Sequence, residues 1–350
     1  MLIEENRPLA PFTTLQIGGP ARWLTTARSE EDVVGAALWA RGKDLPLFVL
    51  GGGSNLLVSD EGFYGLVLHI GLNGIDRSAD SLGAMVYRAA AGEDWDAFVE
   101  RAVGDGCAGI ECLAGIPGTV GGTPVQNVGA YGQEVAATIE NVRALDLEQQ
   151  TFVDFSGAEC GFAYRRSRFN TVDRGRFVVT RVDYRLMRDG APALRYAELQ
   201  RAFPGDNRPS LRDVATTVRQ IRRSKGMLLE DGQPDCRSAG SFFKNPIVNE
   251  EQITHIAANA GKDPPRFPAG SEPEYAGRVK VPAAWLIEQA GFAKGYALGA
   301  AGVSTRHTLA LVNRNGANAA EILALAEQIR SAVSSRFGVL LQMEPVLVGF

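Results

Sequence analysis

The stretch LAGIPGTVGGTPVQNVGAYG, residues 113–132, constrains the fold more than any other, because six glycines and two prolines fall within it. Glycine's backbone entropy and proline's missing N–H both weigh against regular helix or central strand. The run therefore forms a long backbone-rich loop, and loops of that length in a compact segment are usually functional or disordered. Ile116, Val120, Val125 and Val128 offer apolar surface to bury, which argues against disorder. A flat ring system can lie against such a loop while backbone amides read its polar edge. A structural lid or Ω-like loop is the equal alternative.

A second glycine cluster, VLGGGSNLLV (49–58), follows the apolar strand LPLFVL (45–50). Gly51, Gly52 and Gly53 let the backbone approach a ligand closely, and successive N–H groups with Ser54 and Asn55 can cradle phosphate oxygens. The dinucleotide fingerprint should open a helix, whereas LLV suggests another strand. On this motif alone a tight strand turn is the favoured reading.

Short apolar strands alternate with capped helices elsewhere, which gives an α+β chain. Ser29 with Asp32 starts a helix that Gly42 stops, and Trp95, Phe98, Val99, Ala102 and Val103 share one face of a second. From Val142 to Met187 the near alternation of β-branched and aromatic residues predicts antiparallel strands. AFPGDNRPS breaks periodicity near 200 to 210, before Ser210 and Asp213 cap a further helix. The predicted division is 1–205, with lobes of about 1–70 and 71–205, and 206–350. In the second part we expect helices at 250–260 and 282–290, a strand at 308–313, a long helix from Asn318 to Gly338, and a closing strand in VLLQMEPVLVGF.

Three polar residues stand out. Arg165, in AYRRSRFN within the β-rich stretch, presents a charged fork suited to a carboxylate; Arg166 and Arg168 read equally well as solvated strand residues. Ser241, in AGSFFKNP, lies beside Lys244 and Asn245 but lacks the context of an acyl-transfer nucleophile, so a helix cap or turn is its ordinary reading. Glu344 sits among Leu340, Leu341, Met343, Val346 and Leu347, and must be paired, exposed at an edge, or neutral.

The net charge of −4 disfavours nucleic acid and anionic membrane as partners. LIEENRPLAPF is not a secretory signal and no run approaches a bilayer span, so a cytoplasmic protein is expected. Four cysteines without a CxxC pair and three scattered histidines offer no local metal motif.

Taken in order, TTLQIGGPA (13–21), GGGSNLLV (51–58), AGIPGTVGGTPVQNVGAYG (114–132), YRRS (164–167), AGSFFKNP (239–246), VKVPAAWLIEQAG (279–291) and EPV (344–346) resemble the UDP-N-acetylenolpyruvoylglucosamine reductase family over nearly the whole chain. The resemblance implies a two-lobed FAD-binding domain of the vanillyl-alcohol-oxidase-like type and a smaller C-terminal α/β substrate domain whose last strand returns to the active site. It implies non-covalent FAD held by Gly51, Gly52, Gly53, Ser54, Asn55, Ile116, Pro117, Gly118, Gly121 and Gly122, with NADPH as co-substrate. It also implies that Arg165, Ser241 and Glu344 are catalytic and that Tyr196, Lys225 and Asn245 meet the enolpyruvyl UDP-sugar; Tyr131, Lys294 and His307 are candidates for the same substrate. Lys280 is a further candidate, and the insert 226–240, longer than some members of the family carry, follows Lys225 directly. A monomer is expected, with no metal. The competing readings are a related FAD oxidase of a hydroxy acid or sugar, and a non-catalytic sugar-nucleotide-binding protein.

Overall fold

The computed structural model describes residues 1–350 apart from 206, 207, 231, 271 and 272. The chain forms two compact units, each gathered from separated stretches: Met1–Arg7, Ala21–Gly52 and Tyr64–Arg223 in the first, and Pro8–Pro20, Gly53–Phe63 and Ser224–Phe350 in the second. Helix α3 (Ala197–Ala202) precedes Asp206 and Asn207, which stand at the break expected from sequence and lie outside the described residues; the first unit continues beyond them to Arg223, in helix α4 (Leu211–Ser224).

Among the described residues the first unit carries two larger sheets and one two-stranded hairpin. One has the order β1 (Ile3–Pro8), β2 (Pro20–Ala27), β5 (Phe63–Ile70), β3 (Leu47–Leu50), with β3 and β5 parallel from Leu47 against Leu66 to Leu50 against His69. Helix α1 (Glu30–Gly42) links β2 to β3. Ser29 Oγ accepts the Asp32 N–H at 3.2 Å, and Glu30, Glu31 and Asp32 place negative charge at the positive end of the helix dipole.

The other sheet contains β6 (Ile75–Ala79), β7 (Met85–Ala90), β11 (Ile139–Asp146), β12 (Thr151–Ser156) and β13 (Phe177–Arg188) in the order β12-β11-β13-β7-β6, with the short β8 (Cys107–Ala108) off β13. Its strands pair antiparallel, as the alternation between 142 and 187 predicts. Helix α2 (Trp95–Gly104), capped by Asp94, buries Trp95, Phe98, Val99 and Ala102. Its Phe98 ring lies 5.0 Å from Tyr184 and 5.6 Å from Tyr87, both on the sheet. Burying each such side chain is worth about 1.5–3 kcal/mol. Two polar tips of this aromatic core then hold the glycine-rich loop: Trp95 Nε1 donates to Leu113 O, and Tyr184 Oη and Thr123 Oγ1 share a hydrogen bond of 2.6 Å.

In the second unit, α5 (Glu250–Ala260) and α7 (Ala319–Phe337) each begin with a reciprocal capping box, Asn249 with Gln252 and Asn318 with Glu321, and end on a left-handed glycine, Gly261 and Gly338. α6 (Ala283–Gln289) lies between them in sequence, and Leu286, Ile287, Ile322, Leu325, Ile329 and Val333 fill one core. Two small sheets surround it: β14 (Ile247–Val248), β16 (Val279–Lys280), β15 (Phe267–Pro268), and β17 (Ala297–Leu298), β18 (Ala301–Val303), β19 (Leu311–Asn313). The strand expected at 308–313 is thus only its last half. The closing strand is shorter too. Only β20 (Val346–Val348) pairs as a named strand, running parallel to β4 (Leu56–Val58), because Pro345 has no N–H to extend the ladder.

Candidate functional site

In the first unit the two glycine clusters touch. A β-carbon on Gly52 would lie 2.7 Å from Gly118 Cα, and one on Gly51 2.9 Å from Thr119 Oγ1. Only residues without a side chain bring these backbones so close. The loop is also fastened on its far side. Gly118 O accepts from the Trp95 N–H, while Val120 and Gly121 donate to Glu93 O and Ala91 O. The Gly115 peptide is gripped at both ends, its N–H by Asp96 at 2.6 Å and its carbonyl by Arg222 Nε at 2.8 Å, and Arg219 pairs with Asp96 at 2.8 Å. Tied from both sides in this way, the loop forms a shelf. Ile116, Pro117, Gly118, Thr119 and Gly121 remain half-exposed on it, and Gly122 is exposed, leaving backbone groups for a flat ligand. Sequence reasoning missed Asp96, Arg219 and Arg222, since on an amphipathic helix such charges read as a solvated face.

The flavin that the resemblance implies makes a direct prediction for this shelf. Gly52→Ala forces its methyl against Gly118 backbone that cannot swing aside, so the variant is expected to purify with little flavin, read from the ratio of absorbance at about 450 and 280 nm. Full flavin content would remove the shelf from the binding site.

The loop ends in a hairpin of β9 (Gly129–Ala130) and β10 (Gln133–Glu134), whose turn residues Tyr131 and Gly132 have φ of 49° and 83°. Positive φ at both positions matches the right-handed twist of a two-residue hairpin. Tyr131 is buried, which pushes its phenol up to about 12. Its ring meets Tyr196 edge-on at 5.3 Å, and Tyr196 is 38% exposed, so the pair has a buried and an open member.

Arg165 does not lie on a strand. It occupies a tight turn in which the Ala163 and Arg166 N–H groups donate to each other's carbonyls. That turn is tied to the shelf loop, because Asn127 Nδ2 donates to Ala163 O and Ser167 Oγ to Val125 O. Arg165 has φ of 55°, a conformation that costs a non-glycine residue of order 1–3 kcal/mol and gathers at functional sites. Arg168 is settled as structural: it pairs with Asp173 at 2.6 Å and covers the Phe155 ring at 4.1 Å, whereas Arg166 is exposed.

The second unit holds the remaining candidates. Phe243 bridges Met343, with Glu344 N–H donating to Phe242 O and Lys244 N–H to Gln342 O, so Ser241 and Glu344 come to the same end of one short ladder. Both are half-buried. Leu340, Val346 and Leu347, three of the apolar neighbours of Glu344 in sequence, are exposed, so the chain does not wrap that residue in hydrocarbon as its flanks suggest. Asn55 ties in from another stretch, donating through Nδ2 to Glu344 O and accepting the Val346 N–H. Gly53 and Ser54 offer their carbonyls to Thr14.

Asn245 Oδ1 accepts the N–H of Ala283, the first residue of α6, at 2.9 Å. It is therefore a helix cap whatever else its amide nitrogen does. Asn245→Ala is expected to lower stability by about 1 kcal/mol, seen as a lower urea midpoint. Lys225 and Lys280 are half-buried and Lys294 is exposed. His307 sits in a turn, its N–H on Ser304 Oγ. The insert 226–240 is folded at its described residues: Cys236 Sγ donates to Leu228 O, Asp235 accepts from Thr305, and Ser238 O accepts from Thr14 Oγ1 at 2.6 Å, with Asp231 outside the description.

Among the described residues no group of His, Cys, Asp and Glu is arranged to hold a metal ion, and no helix is long and apolar enough to cross a membrane.

Comparison with known proteins matches the description "FAD binding domain" to residues 21–154 and "UDP-N-acetylenolpyruvoylglucosamine reductase, C-terminal domain" to residues 233–348. The UDP-N-acetylenolpyruvoylglucosamine reductase of Thermobifida fusca is 45% identical, covering 98% of this chain and 97% of its own length. That of Streptomyces coelicolor is 48% identical over 98% of this chain and 90% of the relative. A crystal structure of the reductase from Thermus caldophilus superposes with a TM-score of 0.66 at 26% identity, covering 99% of both chains.

Proposed function

This chain belongs to the UDP-N-acetylenolpyruvoylglucosamine reductase family, flavin enzymes of peptidoglycan synthesis, and we propose that it carries the reduction on Arg165, Ser241 and Glu344 with NADPH as reductant. The observation that carries the reading is the side-chain-free junction of Gly52 with Gly118, a cradle fit for the FAD that the family binds. Gly51, Gly52, Ile116, Pro117, Gly118, Gly121 and Gly122 would hold it, with Gly53, Ser54 and Asn55 continuing the same chain stretch. Bound there, the flavin would supply hydride-transfer chemistry between NADPH and the enolpyruvyl group.

The protein's part is placement and charge. Arg165 holds the substrate carboxylate and the negative charge that develops beside it, an effect worth roughly 3–4 kcal/mol by analogy with an oxyanion-hole donor. Ser241 Oγ gives its proton to the neighbouring carbon, completing the saturated lactyl ether, and Lys244 or solvent returns the proton to Ser241. Glu344, at the same end of the ladder as Ser241, serves as a donor toward the developing charge. Tyr131, Tyr196, Lys225, Asn245, Lys294 and His307 meet the UDP-sugar, Tyr196 by covering it. Both nucleotide substrates are products of intracellular metabolism, which supports a cytoplasmic enzyme, and we take it to act as a monomer.

The test is anaerobic. NADPH is expected to bleach the yellow protein, and mixing with the enolpyruvyl UDP-sugar should restore its colour faster than air does; recovery only in air would favour an oxidase. A colourless protein that cannot take up FAD would remove both. In the same assay Glu344→Gln is expected to retain more single-turnover colour return than Glu344→Ala, because the amide is still a donor. Equal loss in the two variants would end the donor role.

A further inference from the structure

Glu111 is fully buried, yet the reaction above does not use it. Its carboxylate is saturated by three donors: the Gly109 N–H at 2.8 Å, the Gln133 side-chain amide at 2.7 Å and the Ala193 N–H at 2.8 Å. Gln133 in turn accepts the Cys112 N–H at 2.7 Å, and Cys112 Sγ donates to Ala193 O at 3.2 Å. A buried carboxylate so enclosed is expensive to leave half-satisfied, so these groups move together or not at all.

What the network joins is informative. Gln133 directly follows the Tyr131–Gly132 turn and pairs with Ala130 across the hairpin, while Ala193 begins the short approach to Tyr196. The two segments touch where they carry their tyrosines: a β-carbon on Gly132 would lie 3.0 Å from Arg195 Cβ and 3.6 Å from Tyr196 N. The Tyr131 and Tyr196 rings meet at 5.3 Å and 89°. The 193–195 stretch is not in regular secondary structure and leads straight to Tyr196, which caps the short helix α3 and accepts the Gln200 N–H, so the hold on Ala193 fixes the chain on the near side of that ring.

We propose that Glu111, through Gln133 and Ala193, is a positioning residue that fixes the Tyr131–Tyr196 pair and so sets affinity for the sugar-nucleotide substrate. It rests on the reading that Tyr196 covers that substrate. The holoenzyme is assayed with the enolpyruvyl UDP-sugar in Glu111→Gln, Gln133→Met and Tyr196→Ala backgrounds. Glu111→Gln keeps shape but turns one acceptor into a donor facing an N–H; Gln133→Met keeps length and removes the amide bridge.

Each network variant is expected to raise KM for the sugar nucleotide roughly tenfold, with kcat, FAD content and flavin reduction by NADPH unchanged. In the Tyr196→Ala background, Gln133→Met should add nothing, because the ring it places is gone. An unchanged KM in folded Glu111→Gln and Gln133→Met, or a rise that adds in full to that of Tyr196→Ala, overturns the proposal. If Glu111→Gln fails to fold, Gln133→Met decides; failure of both to fold also overturns it, since the network then serves stability. Tyr196→Ala without any effect on KM would instead overturn the role given to Tyr196.

Discussion

Replacing Ser241 with alanine is expected to lower turnover by about 10²–10⁴-fold, the usual contribution of a positioned proton donor, while NADPH bleaches the flavin at the unaltered rate. The two half-reactions should separate cleanly because only the second needs a proton on carbon. Stopped-flow mixing of the reduced variant with the enolpyruvyl UDP-sugar reads that step alone. The backbone at 242 and 244 is held by Glu344 and Gln342, and Ser241 is only half-buried, so loss of its hydroxyl should leave the ladder and the thermal midpoint intact. Colour return as fast as in the parent would transfer the proton role to another group.

The second large effect is at Arg165. Arg165→Ala is expected to lose about 10²–10³-fold in kcat, as when one donor to a developing negative charge is removed. Its backbone supplies an independent control. At φ of 55° alanine inherits the strain of the turn, whereas glycine does not. Arg165→Gly should therefore be as inactive as Arg165→Ala yet more stable by about 1 kcal/mol in urea unfolding. A substitution that removes activity and relieves backbone strain at once marks a residue kept for chemistry. Equal stability of the two variants would mean the turn is not strained, and retained activity would free Arg165 of its role.

Local signals in the sequence were read well and distant ones were not. Ser29 with Asp32 and Asn318 with Glu321 announce helix starts because a cap and its partner are three residues apart. The β-rich stretch from 142 is legible because alternation is a property of each strand by itself. Nothing in GGGSN or AGIPGTVGG says that Gly52 will abut Gly118; that contact depends on Glu93, Ala91 and Trp95 holding the loop from beyond. The turn at Arg165 is not legible within the β-rich stretch because YRRS contains no glycine to flag a positive φ. The surroundings of Glu344 stay open in the sequence for a related reason. Leu340, Val346 and Leu347 look like a core in sequence, but the segment pairs only at Met343 and then along β20, and those three side chains stay outside.

The second unit takes two of its pieces, Pro8–Pro20 and Gly53–Phe63, from the early chain and the rest from Ser224 onward. During synthesis β4 must therefore wait without its parallel neighbour until Val346–Val348 emerges, while the stretch Tyr64–Arg223 can already condense. For the bench worker the corollary is practical. A fragment cloned from residue 224 onward would lack a strand and the Thr14 and Asn55 ties, and is expected to aggregate, so the second unit is best studied in the whole chain.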